Sequence, residues 1–467
     1  MNNISYFIIP AIATTLLGMT AVSAAVAEER RPWRVDTAAS LPDWLSLSGS
    51  HRTRYESLDG QFRVALNGGD QTVALRTILL TEIKFDKLRF GVEVIDSRAH
   101  LNDRGSTLRT TLINPVELLQ GYVTWHASNL FSPGDRSDIR AGRLTLDVGS
   151  RRLVARSLFR NTINTFTGVE WNWRGAAGRR FQAFYTLPVN RKPNTRADLL
   201  DNVIEFDEED VEVRFWGIYY AFAELRAALR GEVFFLGLDE HDADGRSTRN
   251  REYYMPGLRI YRPPTRGRVD YSLESVFQFG QSPSSSTATN TRDLDHFAHF
   301  QHVEIGYTFD LPWSPRVIAQ YDYASGDDDP TDGDNERFDT LFGARRFDFG
   351  PTGIYGPFLR NNLSTPGVRL KLRPTRDVKV FVAHRAYWLA SDQDAWTTSG
   401  VRDVSGRSGN FIGHQIEARF RWEVLPGSYR FETGVAHLFA GEFMNDAPNA
   451  NGEGDATYVY SQVLFNF

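Results

Sequence analysis

The stretch His414-Gln-Ile-Glu-Ala-Arg-Phe-Arg-Trp-Glu-Val424 decides how the rest of the chain is read. Successive side chains of a strand point to opposite faces. Ile416, Ala418, Phe420, Trp422 and Val424 therefore share one face, and Gln415, Glu417, Arg419, Arg421 and Glu423 share the other. A strand that is apolar on one side and charged on the other fits a wall one residue thick, with lipid against the first face and a wet lumen against the second.

The same separation recurs outward from this stretch. Arg52, Arg54 and Glu56 oppose His51 and Tyr55, and Arg268, Asp270 and Glu274 oppose Val269, Tyr271, Leu273 and Phe277. Arg369, Lys371 and Arg373 oppose Val368, Leu370 and Leu372, while Arg160, Glu170, Asn172 and Arg174 oppose Val169, Trp171 and Trp173. Period-two alternation between turn signals predicts strands at 44–58, 71–86, 88–101, 116–127, 137–148, 158–174, 178–189, 210–222, 224–239, 251–263, 267–279, 294–310, 315–325, 363–374, 377–391, 411–425, 428–441 and 457–467. The fold class expected is all-β, a transmembrane barrel of about 18 antiparallel strands. Tight Gly- and Pro-bearing connections such as Pro312 to Pro315 and Pro426-Gly427 read as turns at one end of that barrel. Long polar connections, above all Gly326 to Asn362, read as loops at the other end, and a segment of that length suggests function or a folded-in element.

Both ends of the chain support export to the outer membrane. Met1 to Ala27 has an apolar stretch, Tyr6 to Leu17, and small residues at Ala25-Val26-Ala27, so residues 1–27 are expected to be a signal peptide. Residues 28–43 are expected as a periplasmic lead-in and 44–467 as a single barrel domain. The chain ends in an alternating strand on Phe467. Both neighbours of such a terminal strand must hold it, as a closed sheet does, and Phe467 is the expected contact for the barrel-assembly machinery.

Of 53 basic residues only five are Lys, leaving 48 Arg, so the net charge of −5 conceals a large guanidinium inventory. Arg presents a planar fork suited to carboxylates. Its segregation to one strand face is what a lumen lining requires and codon usage alone does not produce. The negative net charge and the alternation of Arg with apolar residues argue against nucleic acid as a partner. There is no cysteine for disulfide or thiol chemistry, and no Gly-x-Ser-x-Gly elbow, His-Glu-x-x-His pair or phosphate-cradling loop. No catalysis, cofactor or metal is expected. His296 and His302 fall on one face and His299 on the other, so the three do not converge. The run Asp327 to Glu336 lacks calcium-loop spacing and reads as an external acidic loop.

The segment Ala141-Gly-Arg-Leu-Thr-Leu-Asp-Val-Gly-Ser-Arg-Arg-Leu153, followed by Asn161-Thr-Ile-Asn-Thr-Phe-Thr-Gly168, resembles the alginate-export family of outer-membrane channels. Similar matches follow at Asp96-Ser-Arg-Ala99, Tyr323-Ala-Ser-Gly-Asp327, Arg337-Phe-Asp-Thr340, Gly413-His-Gln-Ile-Glu417 and Ala436-His-Leu-Phe-Ala-Gly441. The resemblance implies a monomeric 18-stranded barrel in the outer membrane whose Arg-rich constriction passes an alginate-like polyuronate, with loops gating its ends. It also implies Arg98, Arg143, Arg152, Arg419 and Arg421 as pore-lining residues, with Asp96 and Glu417 as counter-charges. The competing reading, a substrate-selective porin for small anions or oligosaccharides, shares all of these features.

Overall fold

The computed structural model describes residues 32–102, 105–225, 228–242, 248–283 and 292–467. The expected signal peptide lies outside these residues. Of twenty strands among the described residues, two are only two residues long, Glu208–Glu209 and Asp334–Asn335. The other eighteen are β1 (Leu45–Asp59), β2 (Asp70–Phe85), β3 (Leu88–His100), β4 (Asn114–Ser128), β5 (Arg136–Leu144), β6 (Phe166–Arg174), β7 (Arg180–Asn190), β8 (Val213–Ala221) and β9 (Arg230–Glu240). There follow β10 (Glu252–Arg262), β11 (Val269–Pro283), β12 (Asp293–Thr308), β13 (Arg316–Ala324), β14 (Leu363–Leu372), β15 (Val378–Trp388), β16 (Phe411–Leu425), β17 (Tyr429–Ala440) and β18 (Ala456–Asn466). Each pairs antiparallel with its neighbour in sequence, and β18 pairs antiparallel with β1, which closes the barrel. Past β18, Phe467 and Gly49 exchange both backbone hydrogen bonds, at 2.8 and 2.9 Å. No helix among the described residues is long and apolar enough to cross a membrane; the strands do the spanning.

The two faces sort as the alternation requires. Val92, Leu273, Phe277, Ile305, Val317, Val368 and Ile416 stand exposed on the outside. Arg52, Arg54, Glu56, Asp270, Glu274, Gln415 and Glu417 are buried in the lumen. His296 and His302 point inward while His299 faces out and stacks on Tyr323. At the long-loop end the interior is apolar, with Phe62, Tyr355, Phe358, Tyr387 and Trp396 in one cluster.

Two connections turn inward, 145–165 between β5 and β6 and 325–362 between β13 and β14. Here the sequence-based strands need correction. The strand expected at 137–148 stops at Leu144, and the one expected at 158–174 starts only at Phe166. Arg160 is thus not on the wall. Residues 158–160 alternate like a strand, but their carbonyls are taken by wall arginines: Arg52 donates to Leu158 and Phe159 (2.8 and 3.0 Å), and Arg76 to Leu158 and Arg160 (3.1 and 2.9 Å). The two inward segments also bond to each other, Phe342 N to Leu153 O at 2.9 Å and Ala344 N to Arg151 O at 3.0 Å. The strand expected from 224 begins at Arg230.

Candidate functional site

A cavity of about 630 Å³ occupies the lumen on the short-turn side of the inward segments. The wall contributes Arg52, Arg76, Arg369, Lys371, Arg419, Arg421 and Arg430, and the inward segments contribute Arg151, Arg156 and Arg346. With Arg34 this makes eleven cationic side chains, against two carboxylates, Glu93 and Glu432. Most of these cations are already engaged. Arg156 forks onto Glu93 (2.7 and 2.8 Å), Arg421 pairs with Glu432 (2.5 Å), Arg430 with Glu423 (2.6 Å) and Arg346 with Glu417 (2.5 Å). Arg52, Arg76 and Arg369 hold backbone carbonyls.

Two remain. Neither Lys371 on β14 nor Arg419 on β16 has a hydrogen-bond or ion-pair partner among the described residues. Between them, in direct cross-strand register with both, stands Phe381 on β15. The Arg419 guanidinium lies 5.2 Å from the Phe381 ring centre. Three adjacent strands thus present cation, aromatic ring and cation in one row, spanning about 10 Å at the usual strand spacing. This row can take an anion at either end and an apolar face in the middle.

Beside this cavity, the vestibule, the inward segments are knotted to the wall around Asp348, which is 2% exposed. Its carboxylate accepts from Arg152 (3.0 and 3.2 Å) and from Arg360. Arg152 also reaches Glu274 at 2.7 Å and His302 at 2.9 Å. His302 bonds Asp322 at 2.6 Å, and Arg385 bridges Asp322 (2.5 Å) to the Asp348 carbonyl (2.7 Å). The 325–362 segment is fixed again at β1, where Glu56 accepts from Ile354 N at 2.9 Å.

Beyond the inward segments a second cavity of about 710 Å³ opens toward the long loops, lined by Arg160, Arg191 and Lys192 with Glu208. Burial, and then the nearby charges of Arg191 and Arg345, push the Arg160 pKa well below its ordinary value.

The residues carried over from the resemblance distribute unevenly. Arg419 and Arg421 line the vestibule, and Glu417 is the counter-charge of Arg346 beside it. Arg152 sits on the inward segment, saturated by Glu274 and Asp348. Arg143 is held between Glu117 (2.6 Å) and Glu209 (2.7 Å). Asp96 and Arg98 do not face the lumen. The inward residues of β3 are Glu93, Ile95 and Ser97, so parity sends 96 and 98 outward, where they pair at 3.0 Å near the long-loop rim. Lys371 is legible as part of the charged face of its strand, whereas Phe381 and Arg76 are lumen residues that the sequence reading lacks. The usable signal for Phe381 was its place on the same strand face as Lys379 and Arg385.

A closed antiparallel barrel with an apolar exterior and a charge-lined lumen is an outer-membrane channel. Among solved structures the chain is similar to OccK9 (OpdG) of Pseudomonas aeruginosa, with TM-score 0.58 and 12% identity over 91% of this chain and 98% of that one. It is similar also to the outer membrane protein OpdK of that organism (0.57, 11%, 91% and 98%) and to OccAB1 of Acinetobacter baumannii (0.57, 12%, 94% and 99%). At such identities the likeness is one of fold. No curated protein matches the sequence. The family model for alginate export matches residues 43–456, and the chain belongs to that family. It is a channel and not an enzyme.

Proposed function

We infer that this channel passes an anionic polysaccharide, an alginate-like polyuronate, by passive diffusion. The observation that carries the reading is the vestibular row Lys371–Phe381–Arg419, two uncommitted cations flanking an aromatic ring in a cavity whose other cations are engaged. A uronate unit offers a carboxylate for a cation and a C–H face for a ring. In a hydrated lumen each charged contact is worth about 1 kcal/mol, weak enough for the chain to slide and to be replaced by the next unit. The surrounding positive potential raises the local concentration of anions.

The test is single-channel recording in planar bilayers with polyuronate added on the short-turn side. The expected result is block of the current by polyuronate at concentrations where a neutral polysaccharide of equal length has no effect. The variant K371E/R419E should lose both this block and anion preference. A current indifferent to polyuronate but selective for small anions would overturn the polymer reading and leave a small-solute porin.

A further inference from the structure

At the short-turn end, three connections meet under one sector of the wall: 263–268, 309–315 and 373–377. Backbone bonds tie them together, Arg373 N to Trp313 O at 2.7 Å and Gly267 N to Thr308 O at 2.8 Å, and Arg266 donates to the Ser314 hydroxyl. A cavity of about 670 Å³ opens between them, lined by Arg266, Leu311, Trp313, Arg373 and Arg376 among others. It lies outside the vestibule and shares no residue with it.

Three features of this corner need a common explanation. Leu311 and Trp313 are 56% and 54% exposed, beyond the ends of the strands. Trp313 and Ser314 hold φ of +67° and +45°, a conformation that a bulky residue adopts rarely and only at a cost. The arginines are poorly matched: Arg373 has no carboxylate partner among the described residues, and Arg266 and Arg376 approach Asp310 and Asp377 only at 3.6 and 3.8 Å. Just above, Val269, Tyr307, Val317 and Leu370 are successive cross-strand partners on β11 to β14. All four face outward, so an apolar strip of the lipid-facing wall runs down into the arginines.

We propose that this corner is a binding site for an anionic glycerophospholipid of the adjoining leaflet. Its phosphate sits among Arg266, Arg373 and Arg376, and its acyl chains lie along the Val269–Leu370 strip. Guanidinium forks match phosphate oxygens bidentately. A ring such as that of Trp313, apolar in body with a polar N–H, belongs at headgroup depth. Basic pockets beside a membrane-embedded apolar surface select anionic headgroups. The strip already lies in the leaflet, which favours a lipid over a soluble acidic partner.

The test is native mass spectrometry of the full-length mature barrel in detergent, equilibrated with equimolar phosphatidylglycerol and phosphatidylcholine. One arginine at an anionic surface is worth about fivefold in affinity, so retention should favour phosphatidylglycerol by at least about fivefold. The preference should shrink as salt rises and vanish in R266Q/R373Q/R376Q with its heat-modifiable gel mobility intact. Equal retention of the two lipids by the wild-type barrel overturns the proposal whatever the variant does. So does unchanged selectivity in the folded triple variant, or complete displacement of the lipid by millimolar inorganic phosphate, which would make this a site for a free anion.

Discussion

Arg152 and Arg419 are the same residue type in the same lumen, but the structure uses them in opposite ways. Arg152 is satisfied by Glu274, Asp348 and His302, and ties an inward segment to the wall. Arg419 rests against Phe381 with no carboxylate of its own. The knot around Asp348 and the vestibular row therefore separate two functions of buried positive charge. Where carboxylates match guanidiniums the result is a fixed obstruction. Where they do not, the site is open to an anion from outside. Counting arginines along a sequence cannot distinguish the two, because the deciding partners lie up to some two hundred residues away, as Asp348 does from Arg152.

The sharpest way to break this comparison is Asp348→Ala. Removing one member of a buried charge network costs about 3–5 kcal/mol, because Arg152 and Arg360 are left desolvated together. The urea midpoint of the barrel should fall, and conductance should rise as the inward segments loosen. An unchanged conductance would deny that the knot holds the obstruction in place.

A smaller effect is expected for Gly353→Ala. Gly353 holds φ +74°, and a Cβ there would come within 2.0 Å of a Glu56 carboxylate oxygen. Strain at such a position is on the order of 1–3 kcal/mol, and it should appear as faster proteolysis of 325–362 with the barrel itself intact.

On the other side of the comparison, Lys371→Gln and Arg419→Gln should each weaken polyuronate block about fivefold, the equivalent of ~1 kcal/mol, and leave the urea midpoint unmoved. A large stability loss would show that these cations are structural after all.

The acidic loop 327–336 of the 325–362 segment should respond to pH. Burial, then Asp394, raises the Asp327 pKa from 3.8 to about 6. A hydrogen bond to Asp328, then burial, raises Glu336 from 4.5 to about 7. The folded loop thus binds these protons more tightly than the unfolded one, and the associated stability is present below about 4 and is lost as pH rises through 6 to 7. Hydrogen exchange of 326–337, corrected for intrinsic rate, should slow on acidification from about pH 7.5 to 4.5. The smallest effect is expected for Arg98→Ala, in a half-buried outward pair at the rim, within about 0.5 kcal/mol in stability and without change in selectivity.

Much of this molecule can be read from spacing alone. The alternation in β1, β11, β14 and β16 fixes which residues meet lipid, and closure of the sheet follows because an antiparallel wall of this kind in a bilayer has no place for an unpaired edge. Parity would even have placed Arg98 correctly, since Val92 and Val94 on the same strand face outward; the family resemblance set it in the lumen instead. What spacing could not convey is the fate of 145–165. Its residues 158–165 continue the rhythm of β6 but leave the wall, because Arg52 and Arg76 capture their carbonyls and Asn161 Nδ2 bonds carbonyls of Leu75, Arg98 and Leu112. The sequence by itself determined the barrel, its orientation of faces and the wealth of guanidiniums inside, since period-two patterning acts locally, strand by strand. Only the tertiary structure decided which guanidiniums are consumed in holding the inward segments and which stay available, since charge compensation in the lumen is settled between side chains that the chain order keeps far apart.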